Sequence, residues 1–190
     1  MSKISCIKKI VGLTGEMGAG KDVFCQYVQK ISNMPLFCFK FSDSLSEVLK
    51  IFFNDVTRED QQWLGINLRE RFGKDILAKA IKKKIDSVNE GLIILNGIRY
   101  IEEFDMIKEV GGDVIYITAD SKTRWQRLQT REEKKDDNVS YEKFLELDKA
   151  STEILIPEMG KTADYKIENS GSLDDFYKKI DSVLAKINEN

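Results

Sequence analysis

No histidine occurs anywhere in the 190 residues. That absence excludes Ser-His-Asp and Cys-His nucleophilic catalysis, together with the usual zinc sites. Cysteine is scarce. Cys6, Cys25 and Cys38 have no metal-ligand spacing, and an odd count without a secretion signal implies reduced thiols in a cytoplasm-like compartment. No apolar run approaches the length that spans a bilayer. The opening MSKISCIKK lacks the apolar stretch of a signal peptide. The expectation is a cytoplasmic chain that keeps off membranes. Repeats and linkers are also missing, so one domain is expected over 1–190. Charge is balanced at 30 Lys and Arg against 32 Asp and Glu, which favours no nucleic-acid partner, and none is expected. Chemistry is left to Lys, Arg, Asp, Glu and bound metal. Phosphoryl transfer suits that inventory, because it is mostly positioning and charge stabilisation.

What is present organises around Lys9 to Val23, KIVGLTGEMGAGKDV. A short apolar run (Ile10, Val11, Leu13) reads as a buried strand ending at Gly15. Gly18, Gly20, Lys21 and an apolar-periodic helix follow. The frame Gly15-x-x-x-x-Gly20-Lys21 is that of a P-loop, or Walker A loop, between strand and helix. Its glycines let the backbone curl so that N–H groups point at phosphate oxygens. The helix adds its positive N-terminal end, and Lys21 a mobile charge for the β- and γ-phosphates. Gly15, Glu16, Met17, Gly18, Ala19, Gly20, Lys21, Asp22 and Val23 are therefore the candidate ATP site. A dinucleotide fold fits less well, because the third glycine of G-x-G-x-x-G is missing. After Lys21 the motif asks for Ser or Thr as a Mg²⁺ ligand, and this chain has Asp22. A carboxylate ligates a hard cation directly or through water, so ATP and Mg²⁺ are the expected cofactors.

Further along, LFCFKF at 36–41 reads as strand two and Leu92 to Leu95 as strand three. Strand four is Val114 to Ile117, and strand five is 163–167. Helical patterns alternate with them. The fold class expected is α/β: a five-stranded parallel sheet covered by helices on both faces, of the P-loop NTPase type. Residues 43–90 hold helices but no strand. They are read as a helical insertion that closes over a second substrate. Within 43–90, Thr57 to Trp63 reads as a short helix broken by Gly65, and Leu68 to Val88 as one long helix. Leu45, Val48, Leu49, Phe52 and Phe53 read as one apolar face. Pro157 and Gly160 read as loop, and Leu173 as part of the last helix's apolar stripe.

Ligands in open α/β sheets sit at the carboxyl ends of the strands. Ser42-Asp43, Asn96-Gly97-x-Arg99 and the helix carrying Arg124, Arg127 and Arg131 all fall on that edge. The sequence there resembles the nucleoside-monophosphate-kinase branch of P-loop proteins, in particular dephospho-CoA kinase-like proteins and phage-type deoxynucleoside monophosphate kinases. GEMGAGKD is similar to the G-K-D loop of the latter, FSDSLSEVLK to their F-A-D-P-L-K segment, and QQWLGINLRERFGKDIL to their L-Q-x-x-G-x-x-x-R-x-x-x-G block. NGIRYIEEF resembles the D-G-I-R segment after strand three. ADYKIENSGSLDDF resembles the A-D-x-x-I-x-N-x-G-S-L segment of dephospho-CoA kinase-like proteins.

The resemblance implies that Asp43, Arg69 and Arg99 contact the acceptor. It implies a lid at about 124–162, in which Arg127 and Arg131 act with Lys21 on the transferring phosphoryl group, and it implies that Asn169 and Gly171 lie beside the adenine. Asn96 stands where the family usually has Asp, and is expected to support Asp22 by donating N–H to its carboxylate. Simpler readings stay open. Asp43 also suits a helix N-cap. Arginines at i, i+3 and i+7 also suit a solvated helix paired with Glu132 or Glu133, and Arg69 an exposed helix face. The implied activity is ATP- and Mg²⁺-dependent transfer to a small phosphorylated, nucleotide-like acceptor. The alternative is a nucleotide-binding switch that transfers nothing.

Overall fold

A computed structural model describes residues 8–130, 139–150 and 153–189. Five parallel strands, β1 (Lys8–Thr14), β2 (Leu36–Lys40), β3 (Gly91–Ile98), β4 (Asp113–Thr118) and β5 (Tyr165–Glu168), lie in the order β2-β3-β1-β4-β5. The strand that carries the Gly-rich loop is therefore central. Its register against β3 slips once: Leu13 faces Asn96, but Thr14 faces Ile98. The extra residue is Gly97, at φ 91°. This bulge turns the chain so that Asn96 and Arg99 leave β3 at the ligand edge.

The sheet is buried on both faces. On one side lie α1 (Lys21–Ile31) and α9 (Leu173–Glu189), which contribute Phe24, Cys25 and Val28, and Phe176, Ile180, Val183 and Ile187. On the other lie α4 (Ile76–Asp86), α5 (Ile101–Glu109) and α8 (Ile156–Thr162), with Leu77, Ile81, Ile85, Phe104, Ile107 and Met159 inward. Such spacing of three and four residues is what puts one helical stripe against a sheet. The completing helices are α2 (Asp43–Leu49), α3 (Arg58–Phe72), α6 (Ser121–Gln129) and α7 (Tyr141–Asp148).

Several local expectations change. Gly65 does not break a helix. It is buried inside α3, where a Cβ would stand 3.3 Å from Leu45 Cδ1, so its small size lets α2 and α3 pack closely. The break falls instead at Gly73, whose φ of 102° suits only glycine, and it splits the expected long helix into α3 and α4. Phe52 and Phe53 lie past the end of α2, and with Val48 they are exposed rather than inward. Leu173 is likewise exposed. Pro157 and Gly160 belong to α8, since proline is tolerated in a helix's first turn. β3 extends three residues beyond Leu95, through the bulge. Within 43–90, α4 covers the sheet, while α2 and α3 stand at the ligand edge.

Candidate functional site

β1 delivers the chain to the sheet edge at Thr14, and α1 leaves it at Lys21. Between them, Gly20 caps α1 at φ 111°, and a Cβ there would meet Asn169 Nδ2 at 2.5 Å. Only glycine satisfies both conditions. The Lys21 ammonium folds back over the loop and donates to the carbonyls of Gly15 (2.5 Å) and Glu16 (2.9 Å). Burial, with the Arg99 cation adding to it, pushes its pKa down to about 7. A cation so placed gains most when an anion arrives beside it.

Asn96 and Lys40 both reach Asp22, in the first turn of α1. Asn96 Nδ2 donates to its Oδ1 at 2.9 Å, and Lys40 Nζ, from β2, lies 2.9 Å from the same oxygen. The expected Asn96–Asp22 contact is therefore present. Among the described residues no group of three or more Cys, Asp or Glu gathers as a metal cluster. One carboxylate beside a phosphate cradle is nevertheless a donor set that suits Mg²⁺, which takes one or two carboxylates and completes its shell from phosphate and water.

The cradle opens into a cavity of about 600 Å³. Lys21, Asp22, Asn96, Arg58, Arg69, Arg99 and Arg127 all line it. Phe41, Leu45, Leu77 and Tyr100 supply apolar surface. Arg69 donates to Glu103 Oε1 at 2.8 Å, and its guanidinium lies 3.7 Å from the centre of the Tyr100 ring. Glu103, at the third position of α5, also accepts from the backbone N–H of Arg99 at 2.9 Å. Burial raises its carboxyl pKa, against the pull of those donors. Arg99 and Arg58 converge on Glu153, whose carboxylate is buried to 1% exposure. Burial first, then the Arg58 cation, pushes Arg99 down to about 10. Arg58 also reaches Met17 Sδ in the loop, at 2.9 Å.

The arginines of α6 take separate paths. Arg124 is buried; it grips Asp148 of α7 through two bonds of 2.7 Å and donates to the carbonyls of Ala119 and Met17. Burial opposes its charge, but the Asp148 pair keeps its pKa above the ordinary value. Arg127 faces the cavity, donates to Asn169 Oδ1 at 3.4 Å, and leaves a buried NH1 with no partner among the described residues. Arg131 lies outside the described residues.

Asp43, Asn169, Gly171 and Glu16 stand apart from the cavity lining. Asp43 accepts from the backbone N–H of Lys40 at 2.7 Å, while Ser42 occupies the N-cap of α2. Asn169 is buried behind the loop and donates to the carbonyl of Ala19 at 2.9 Å; Gly171 follows it before α9. The Glu16 side chain points under the loop, where the Tyr116 hydroxyl donates to its Oε1, so only its backbone faces the cradle. Burial and that bond push Tyr116 up to about 12.

Arg58, Glu103, Glu153 and Tyr116 were not singled out from the sequence. Glu103 could have been, because a glutamate three residues after Tyr100 is a capping-box position. The others have no local signal, since long-range packing alone brings them in.

Comparison with known proteins follows the same lines. The family model described as an AAA domain matches residues 11–146. A UPF0200 protein of Methanococcus vannielii is 31% identical, over 94% of this chain and 96% of its own. Shikimate kinase from Bacteroides thetaiotaomicron superposes with a TM-score of 0.64 at 15% identity, covering 95% of this chain and 98% of that one. Dephospho-CoA kinase from Campylobacter jejuni does so at 0.53 and 19%, covering 96% and 98%. These two likenesses are of fold: a parallel sheet with helices on both faces and a phosphate loop at its centre.

Proposed function

The chain belongs to the AAA domain family and to the UPF0200 proteins, and on that premise we propose that it is an ATP- and Mg²⁺-dependent phosphotransferase. The acceptor is nucleotide-like, of the deoxynucleoside monophosphate or dephospho-CoA type. The observation that carries this reading is one continuous cavity of about 600 Å³ whose wall holds the Lys21 loop together with Arg58, Arg69 and Arg99, more cations than the loop itself supplies. A hydrolase or a simple switch has little use for three further arginines on the same cavity wall. A kinase does have a use for them, because its acceptor brings its own anionic groups.

In this reading the loop N–H groups and Lys21 hold the β- and γ-phosphates. Asp22, held by Asn96 and Lys40, is the carboxylate that would carry Mg²⁺. The metal, when bound, neutralises charge on the triphosphate. Arg127 meets the moving phosphoryl group with its NH1, which has no partner among the described residues. Arg99 and Arg58 orient the acceptor, whose oxygen attacks the γ-phosphorus as the bond to the β-phosphate breaks. The apolar walls exclude water from that step. Within the 43–90 insertion α2 and α3 supply the acceptor side, and α6 and α7 the lid. Among the described residues no helix is long and apolar enough to cross a membrane.

The deciding experiment measures ADP release from Mg²⁺-ATP with a panel of nucleoside and deoxynucleoside monophosphates and dephospho-CoA. One acceptor should raise turnover at least tenfold over ATP alone and appear as the phosphorylated product. ATP binding without stimulation by any of them would reject the kinase reading in favour of a binding switch.

A further inference from the structure

Beside the phosphate cradle, α1 and β2 touch through two side-chain rungs. Asp22 and Lys40 form the first. Cys25, three residues further along α1, and Cys38, two residues back along β2, form the second, with Sγ atoms 3.1 Å apart. Both thiols are free. Neither belongs to the cavity, and phosphoryl transfer uses neither. A disulfide bond is about 2.05 Å long, so closing this pair takes roughly 1 Å of sulfur travel between elements already packed together.

The two thiols are not equivalent. Cys38 is exposed on an edge strand, whereas Cys25 lies in the core between α1 and the sheet at 9% exposure. The hydrogen bond between them lowers the Cys38 pKa, with the nearby Lys40 cation acting in the same direction, and raises that of Cys25. Exposure and thiolate character both select Cys38 as the sulfur that reacts first.

We propose that Cys25 and Cys38 are a redox-active dithiol, oxidised to an intramolecular disulfide by exchange with a small molecule that carries a disulfide. The Cys38 thiolate attacks one sulfur of R–S–S–R. A mixed disulfide forms on Cys38, and the first R–S⁻ leaves and takes up a proton. Cys25 gives its proton to solvent and attacks the Cys38 sulfur, and the second R–S⁻ leaves and is protonated in turn. Two protein thiols lose two electrons, and the small disulfide gains them as two thiols. The new bond ties the helix that begins at Lys21 to a strand held in the sheet only by β3.

The test incubates the full chain with oxidised glutathione, blocks remaining thiols with iodoacetamide, and maps peptides by mass spectrometry without reductant. The expected result is a linked pair containing Cys25 and Cys38, lighter by two hydrogens than the separate peptides, with free thiols falling from three to one. In the Cys25→Ser variant, glutathione should stay trapped on Cys38; if that variant does not fold, the wild-type map decides alone. A wild-type chain that keeps glutathione on Cys38, bridges through Cys6, or retains all its thiols would overturn the proposal.

Discussion

Asn96 donates a 2.9 Å hydrogen bond to the Asp22 carboxylate, and so joins the end of β3 to the first turn of α1 across the phosphate loop. In the usual P-loop arrangement a Ser or Thr hydroxyl follows the lysine, and an aspartate at a neighbouring strand end helps hold the metal. Here the carboxylate is on the loop and the neutral amide on the strand. The pair keeps one negative charge and one neutral polar group with positions exchanged, and the amide orients the carboxylate.

A double-mutant cycle tests the exchange. Asp22→Ser alone should weaken Mg²⁺-dependent turnover by about tenfold or more, since it removes the pair's only carboxylate. Asn96→Asp alone should also harm it, because two carboxylates at hydrogen-bond distance repel. The double variant should recover much of the loss, with a coupling energy of about 1 kcal/mol or more. Simple additivity would sink the idea.

Lys21 gives a pH signature independent of substrate. Its native pKa of about 7 lies below the ordinary 10.5, so the folded site disfavours the charged form. Below about pH 7 both folded and unfolded chains carry the proton, and the full penalty applies. Between 7 and 10.5 the unfolded chain binds more protons than the folded one, so stability rises with pH. Lys21→Met lacks this contribution. Its melting temperature relative to wild type should be highest near pH 6 and fall steadily towards pH 10, while phosphoryl transfer is lost at every pH. A flat difference across that range would show that the lysine is not held in a discharging environment.

Arg99 should act on the acceptor. It follows β3, one strand from the loop, and lines the cavity with Arg58 and Arg69. Arg99→Ala should raise KM for the acceptor about tenfold or more and that for ATP far less, as expected for loss of a charged hydrogen bond. It also leaves buried Glu153 with one fewer cation, so stability should fall by about 2 kcal/mol, and Arg99→Ala with Glu153→Gln should regain part of that. Equal damage to both KM values would move Arg99 to the donor side.

The legible and illegible parts of this fold differ in range. Strands and the loop were readable because Ile10 to Gly20 carry a local pattern, and the Asn96–Asp22 contact followed from topology: adjacent parallel strands bring their carboxyl ends together. The α3–α4 boundary was misread because Gly65 and Gly73 are the same letter under different constraints. One is small to admit Leu45, and the other is flexible to reach φ 102°. Glu153 escaped notice because a single carboxylate in a turn has no period, and only the folded chain shows that it faces two arginines.

Arg124 and Arg127 sit one turn apart on α6. Their surroundings separate them. Arg124 is 5% exposed, paired twice with Asp148, and donates to the loop carbonyl of Met17. Arg127 looks into the cavity with a nitrogen that has no partner among the described residues. Removing one member of a buried ion pair strands the other charge and costs about 3–5 kcal/mol, so Arg124→Met should lower the melting temperature markedly. Asp148→Asn added to it should restore part of the loss, because the stranded charge is gone. Arg127→Met removes a group that no described carboxylate pairs with, so stability should hold within about 0.5 kcal/mol. Its effect should fall on kcat, by roughly a hundredfold, as for cations that meet a transferring phosphoryl group. The two variants thus invert: one loses stability first, the other turnover first. If Arg127→Met melts early and turns over normally, the residue is a structural one, and the phosphoryl-facing role falls to another group.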